Sequence, residues 1–213
     1  MPPIAPALPT LRGITHYRPR NTMTFDHSLP RGGLTRPETG LLLGAAVLLA
    51  LAVLGPAVPA SEHQHGFADQ RMLWGLPCAL DVLTNLPFAL AGLWGLGLLR
   101  GLQRGAVDAV TRAAAGLFCM GLVLTSVGST VYHLRPDDAG LLWDRLGMAV
   151  AFAGLLGLAA ADRISARAGH AVGWGVLVLA LLSVAVSAVT GNVLPWGLVQ
   201  FGGVALVVVL VFV

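Results

Sequence analysis

The chain has 213 residues, 56% of them hydrophobic and only 11% charged, less than half the roughly 25% charged share of an ordinary soluble domain. The charges cluster between long apolar runs of membrane length, which argues against a soluble globular protein and makes lipid the solvent. The net charge of +3 rests on 13 basic residues, all arginine, concentrated in the first 36 residues and in short loops. No basic stripe is interleaved with aromatics, so nucleic acid is not an expected partner.

Residues 1–38 hold seven prolines and five arginines without a sustained apolar period, and read as a disordered tail. Residues 39–213 read as one all-α transmembrane helical domain, a polytopic bundle of about six spans. The first span covers 40–58, uncharged between Glu38 and Glu62. A cleaved signal is the competing reading, because Val58-Pro59-Ala60 loosely imitates a cleavage site, but the apolar run exceeds the roughly 7 to 15 residues usual for signals. Further spans follow at 77–99, 113–134, 139–161, 171–190 and 195–213. Gly92, Gly95, Ala153 and Gly157 stand at spacings that let helices approach closely in lipid. Cys78 and Cys119 fall toward opposite ends of neighbouring spans, too far apart to bridge, and read as packing residues.

Basic loops stay on the cytoplasmic side. Arg12, Arg18, Arg20, Arg31 and Arg36 in the tail, Arg100, Arg104 and Arg112 after the second span, and Arg163 and Arg167 after the fourth all fall on one side. Arg71 and Arg135 fall on the other, and Arg145 lies within a span. The N-terminus is therefore expected in the cytoplasm.

A titratable group inside a span is costly and is a functional candidate by default. Ser129 and His133, in GSTVYHL, are four apart and share one face of the third span. Pro136 ends that helix, Asp138 is placed to cap the next, and Asp144 lies about two turns into it. Helices joined by so short a loop run antiparallel, so Asp144 is expected at the depth of Ser129 and His133. One chemical reading makes His133 a ligand of a divalent metal, Asp144 the acceptor of a proton from metal-bound water, and Ser129 an oxyanion donor. The structural alternative has His133 donating to Asp144, Ser129 satisfying its own helix backbone and Asp144 pairing with a nearby Arg.

The segment GSTVYHLRPDDAGLLWDRLGM resembles the alkaline ceramidase family, within a superfamily of seven-helix membrane hydrolases and receptors. Its signature is a Ser, three residues, a His, and an Asp eleven residues later, and Ser129, His133 and Asp144 fit it. The stretch FADQRMLWGLPCALDVLTNLPFALAG is similar to the same region of bacterial members, so the likeness covers about residues 62–165. The resemblance implies a zinc amidohydrolase of a bacterial inner membrane acting on ceramide-like lipids. It makes His133 a zinc ligand and Ser129 and Asp144 its catalytic partners. It also implies calcium before the first family helix, with Asp69 at a matching ligand position; Asp81 and Asn85 sit in the neighbouring helix, where Asn85 is expected to bond another helix. Family members add two zinc histidines in a His-x-x-x-His pair on their last helix, and no histidine follows His170 here. The chain stops inside its sixth span at VLVFV, which suggests a truncated product of a protein with seven or more helices. His170 falls in a loop on the wrong side, His63 and His65 read as solvated loop residues, and His16 and His27 belong to the tail. The alternatives are a non-catalytic lipid-binding or receptor-like bundle, and a small transporter in which Asp81, His133 and Asp144 form a proton or ion path. Neither the lipid nor the oligomeric state follows from these residues.

Overall fold

A computed structural model describes residues 33–67, 69–103 and 105–212. In chain order the helices are α1 (Arg36–Leu54), α2 (Ala79–Leu83), α3 (Leu86–Gly101), α4 (Ala109–Leu134), α5 (Asp138–Arg163), α6 (Ala166–Thr190) and α7 (Leu194–Val211). With α2 and α3 taken together they make six helices long and apolar enough to cross a membrane, which fits an integral membrane protein and an all-α bundle.

Each boundary that departs from expectation has a local cause. The first span begins at Arg36 rather than residue 40, because Thr35 and Glu38 form a capping box with Pro37 in the first turn. The tail therefore cannot extend to residue 38; residues 1–32, with His16 and His27, lie outside the described residues. The span expected at 77–99 is broken at Thr84 and Asn85. Pro87 lacks the N–H that would bond the carbonyl four residues back, and its ring collides with that carbonyl, so α2 and α3 cannot be continuous. Asp108 and Ser165 cap α4 and α6, which start several residues before the apolar windows do. Asp137, not Asp138, caps α5, its side chain accepting from the Gly140 N–H at 2.7 Å. Asp138 is thereby left free for another partner.

The core is the antiparallel pair α4 and α5, closed by glycines. Gly121 and Gly128 on α4, and Gly140, Gly147 and Gly154 on α5, each stand where an added methyl would strike the facing helix: Ala151, Trp143 with Asp144, Tyr132, Thr125 and Phe118 respectively. Their spacing of seven keeps them on one face. Gly157 meets Gly169 and Gly173 to seat α6, while Gly92 and Gly95 seat α3 against Cys119. Cys119 is thus a packing residue, as expected, and both cysteines are free.

Polar contacts tie the ends on each face. On one, the buried Glu38 of α1 accepts from Ser165 (2.8 Å) and from Arg167 Nε (3.1 Å) and NH2 (2.5 Å) at the start of α6. On the other, the Val58 N–H donates to Asn192 Oδ1 at 3.0 Å and the Val193 N–H to Val58 O at 2.9 Å, joining the loops that follow α1 and α6. Charge counting places the starts of α1 and α6 on one side, and this contact agrees.

Candidate active site

The glycine seam sets the depth of the candidate residues. Because Gly128 lies against the backbone of Trp143 and Asp144, its neighbour Ser129 stands level with Asp144. Ser129 is five residues from the end of α4 and Asp144 six from the start of α5, depths of about 8 and 9 Å at ~1.5 Å per residue. The buried Ser129 hydroxyl thus sits at the depth of Asp144, with His133 one turn further along α4. The three residues are therefore brought together. Their arrangement differs from the structural alternative: the carboxylate nearest His133 Nδ1 belongs to Asp81 of α2, at 3.9 Å, and not to Asp144.

Thr125, Ser129 and His133 lie at i, i+4 and i+8, a polar stripe down one face of α4. Two atoms of that stripe, Thr125 Oγ1 and His133 Nδ1, are buried without a hydrogen-bond partner among the described residues. Thr125 was legible by the same spacing that singles out Ser129 and His133. Arg145 is turned the other way: its NH1 donates to Ser187 of α6 at 2.6 Å and its guanidinium stacks on Trp196 of α7 at 5.9 Å. It does not pair with Asp144 in the way an arginine one residue along the chain suggests.

The loop before α2 forms a roof over this face. Phe67 packs on the His133 ring with centroids 4.3 Å apart, and on Tyr132 at 5.1 Å. His65, expected to be solvated, is instead held between elements: Nδ1 lies 3.0 Å from the Tyr132 hydroxyl and Nε2 3.2 Å from Asp138. Gln64 adds a bond from Nε2 to Asp138 at 3.0 Å, and the Tyr132 hydroxyl donates to Gln64 O at 2.9 Å. The carboxylate freed from capping α5 is what receives this loop. His170, by contrast, lies in the first turns of α6 at the far face, near Trp174.

Asp69 anchors the other end of the roof. Its Oδ1 accepts from Arg71 Nε at 2.6 Å and its Oδ2 from the Leu80 N–H at 2.8 Å. The Arg71 bond, followed by the Leu80 N–H, holds its carboxyl below the ordinary value of 3.8. Asn85, expected to bond another helix, does so through its carbonyl, which accepts from Ser126 Oγ of α4 at 2.8 Å, while its amide is directed to Asp81 O at 3.0 Å.

Among the described residues no three His, Cys, Asp or Glu side chains are gathered closely enough to hold a metal ion. On their own they offer zinc one imidazole, where a catalytic zinc takes three protein ligands, and they offer calcium one carboxylate whose two oxygens are already engaged. No family profile matches the chain, nor does any curated protein or solved structure.

Proposed function

We propose that this protein is an intramembrane hydrolase of ceramide-type lipid amides, seated in a bacterial inner membrane with its N-terminus in the cytoplasm. The observation that supports it best is the shared depth of Ser129 and Asp144 across the glycine seam, with His133 one turn along α4, inside an apolar bundle where such groups are costly. These are the residues of the resemblance to the alkaline ceramidases.

Hydrolysis adds water across the amide to give a fatty acid and an amine. Asp144 takes the proton of the attacking water and returns it to the amine nitrogen as the C–N bond breaks. The Ser129 hydroxyl, at the depth of that residue, donates to the oxygen that gains charge as the carbonyl becomes tetrahedral. His133 keeps a nitrogen beside the reacting bond, and the Phe67 roof limits water from the loop side. Zinc enters this reading through the resemblance alone. The arginines at the helix ends on the side where α1 begins, Arg100 of α3, Arg112 of α4, Arg163 of α5 and Arg167 of α6, carry the orientation.

The test is release of fatty acid from a ceramide analogue in proteoliposomes, with metal analysis of the same preparation. Asp144→Asn should abolish turnover while keeping the fold, and Ser129→Ala should lower it on the order of 10²-fold. Folded wild-type protein that releases no fatty acid, with or without added zinc, refutes the reading. Transport is the second reading, favoured by the approach of Asp81 to His133 near Asp144; it predicts proton flux in sealed vesicles without turnover.

A further inference from the structure

His133 is the one imidazole in this cluster, and what it can do depends on which ring nitrogen carries the proton. Its Nδ1 is buried, unpartnered among the described residues, and 3.9 Å from Asp81 Oδ2. That separation is too long for a hydrogen bond, but the sign of the interaction is decided all the same. A bare Nδ1 would turn its lone pair toward a carboxylate oxygen in a medium of low dielectric, whereas an N–H turns its positive end.

We infer that Asp81 is the positioning residue that fixes His133 as the Nδ1–H tautomer, leaving the lone pair on Nε2. This rests on the reading of His133 as part of the working site, and it names the atom with which His133 works.

The surroundings hold the pair in place. The Leu80 N–H, one residue before Asp81, is bound to Asp69, and the Asp81 carbonyl accepts from the Asn85 amide. The Asn85 carbonyl is tied in turn to Ser126 on α4, one turn below Thr130 on the helix that carries His133. Phe67 covers one face of the imidazole at an interplanar angle of 54°. A ring so confined has one edge to present to Asp81.

The experiment is 15N NMR of histidine-labelled protein at a pH where the imidazole is neutral, with the His133 resonances assigned by their loss in His133→Gln. Wild type should show a protonated Nδ1 and an unprotonated Nε2. Asp81→Ala should move His133 to the Nε2–H form or to a mixture, Asp81→Asn should do the same, and Asp81→Glu should restore the original pattern. Hydrolysis by Asp81→Ala should fall ~10–100-fold in kcat with KM unchanged, the loss typical when the partner that orients a working histidine is removed. An Nε2–H tautomer in the wild type, or retention of the wild-type Nδ1–H tautomer in both Asp81→Ala and Asp81→Asn, overturns the inference. If Asp81→Ala does not fold, the wild-type and Asp81→Asn spectra decide. If the tautomer follows Asp81 while the wild type hydrolyses nothing, the inference stands and the hydrolase reading falls.

Discussion

The α4–α5 pair and α1 are joined to the bundle in opposite ways. In the span of α5 33% of residues are buried, against 6% in the span of α1. The first pair is closed along its length by glycines that put backbone against backbone, while α1 is fastened chiefly by charged and polar groups at its ends. In lipid the apolar side chains of α1 gain little by leaving hydrocarbon for protein, and its glycines Gly40 and Gly44 face no neighbour within 4 Å, so α1 has no close backbone seam and is held where polar groups meet. The candidate site lies on the closely packed pair, where register is fixed to within a residue.

Substitution within the glycine seam should have the largest effect. Gly128→Leu forces a side chain into the Trp143 carbonyl and the Asp144 N–H, separating the helices that hold Ser129 and Asp144. A loss of about 3 kcal/mol is expected, at the upper end for overpacking, read as a lowered thermal midpoint in detergent together with loss of the site. If the midpoint is unchanged, the seam is not what holds the pair.

Glu38→Gln should act on α1 alone. It removes the charge that Arg167 and Ser165 surround, so hydrogen exchange of the α1 amides should quicken while α4 and α5 keep their protection. Loss of protection across the whole bundle would show that α1 is more than a peripheral helix.

The roof should respond to acid in a definite sense. Asp69 has a folded pKa below its ordinary 3.8, so its contribution is complete above that value and is lost as pH falls through the folded value. Asp69→Asn should expose the Phe67 contact at neutral pH, measured by faster exchange of the loop amides, and acid should do the same to the wild type only below about pH 4.

Smaller effects separate the regions further. Ser126→Ala deletes the bond to the Asn85 carbonyl and should cost about 1 kcal/mol by thermal melting. Gly44→Ala in α1, where an added methyl meets nothing within 4 Å, should change the midpoint by less than about 0.5 kcal/mol or raise it slightly.

Several features missed by apolar windows were nonetheless written in the chain. The Thr35-x-x-Glu38 box marks the start of α1, Pro87 marks the break between α2 and α3, and the sevenfold glycine spacing marks the seam. A window that averages hydropathy passes over all three because each acts through backbone geometry. His65, Phe67 and Asp81 are different: nothing local distinguishes a loop histidine bound to Tyr132 and Asp138 from a solvated one.

By itself the sequence determined the number of spans, their antiparallel order and the depth shared by Ser129 and Asp144. Each follows from local rules: apolar run length against bilayer thickness, loop length, and rise per residue. Tertiary structure alone decided that Asp81 rather than Asp144 stands beside His133 Nδ1, that Asp138 receives the roof instead of capping α5, and that Arg145 turns to Ser187 and Trp196. Those choices depend on the rotation of each helix about its axis and on the path of a loop. Close backbone contact at glycines sets the first, and hydrogen bonds between residues about seventy positions apart set the second, so neither is carried by a spacing along the chain.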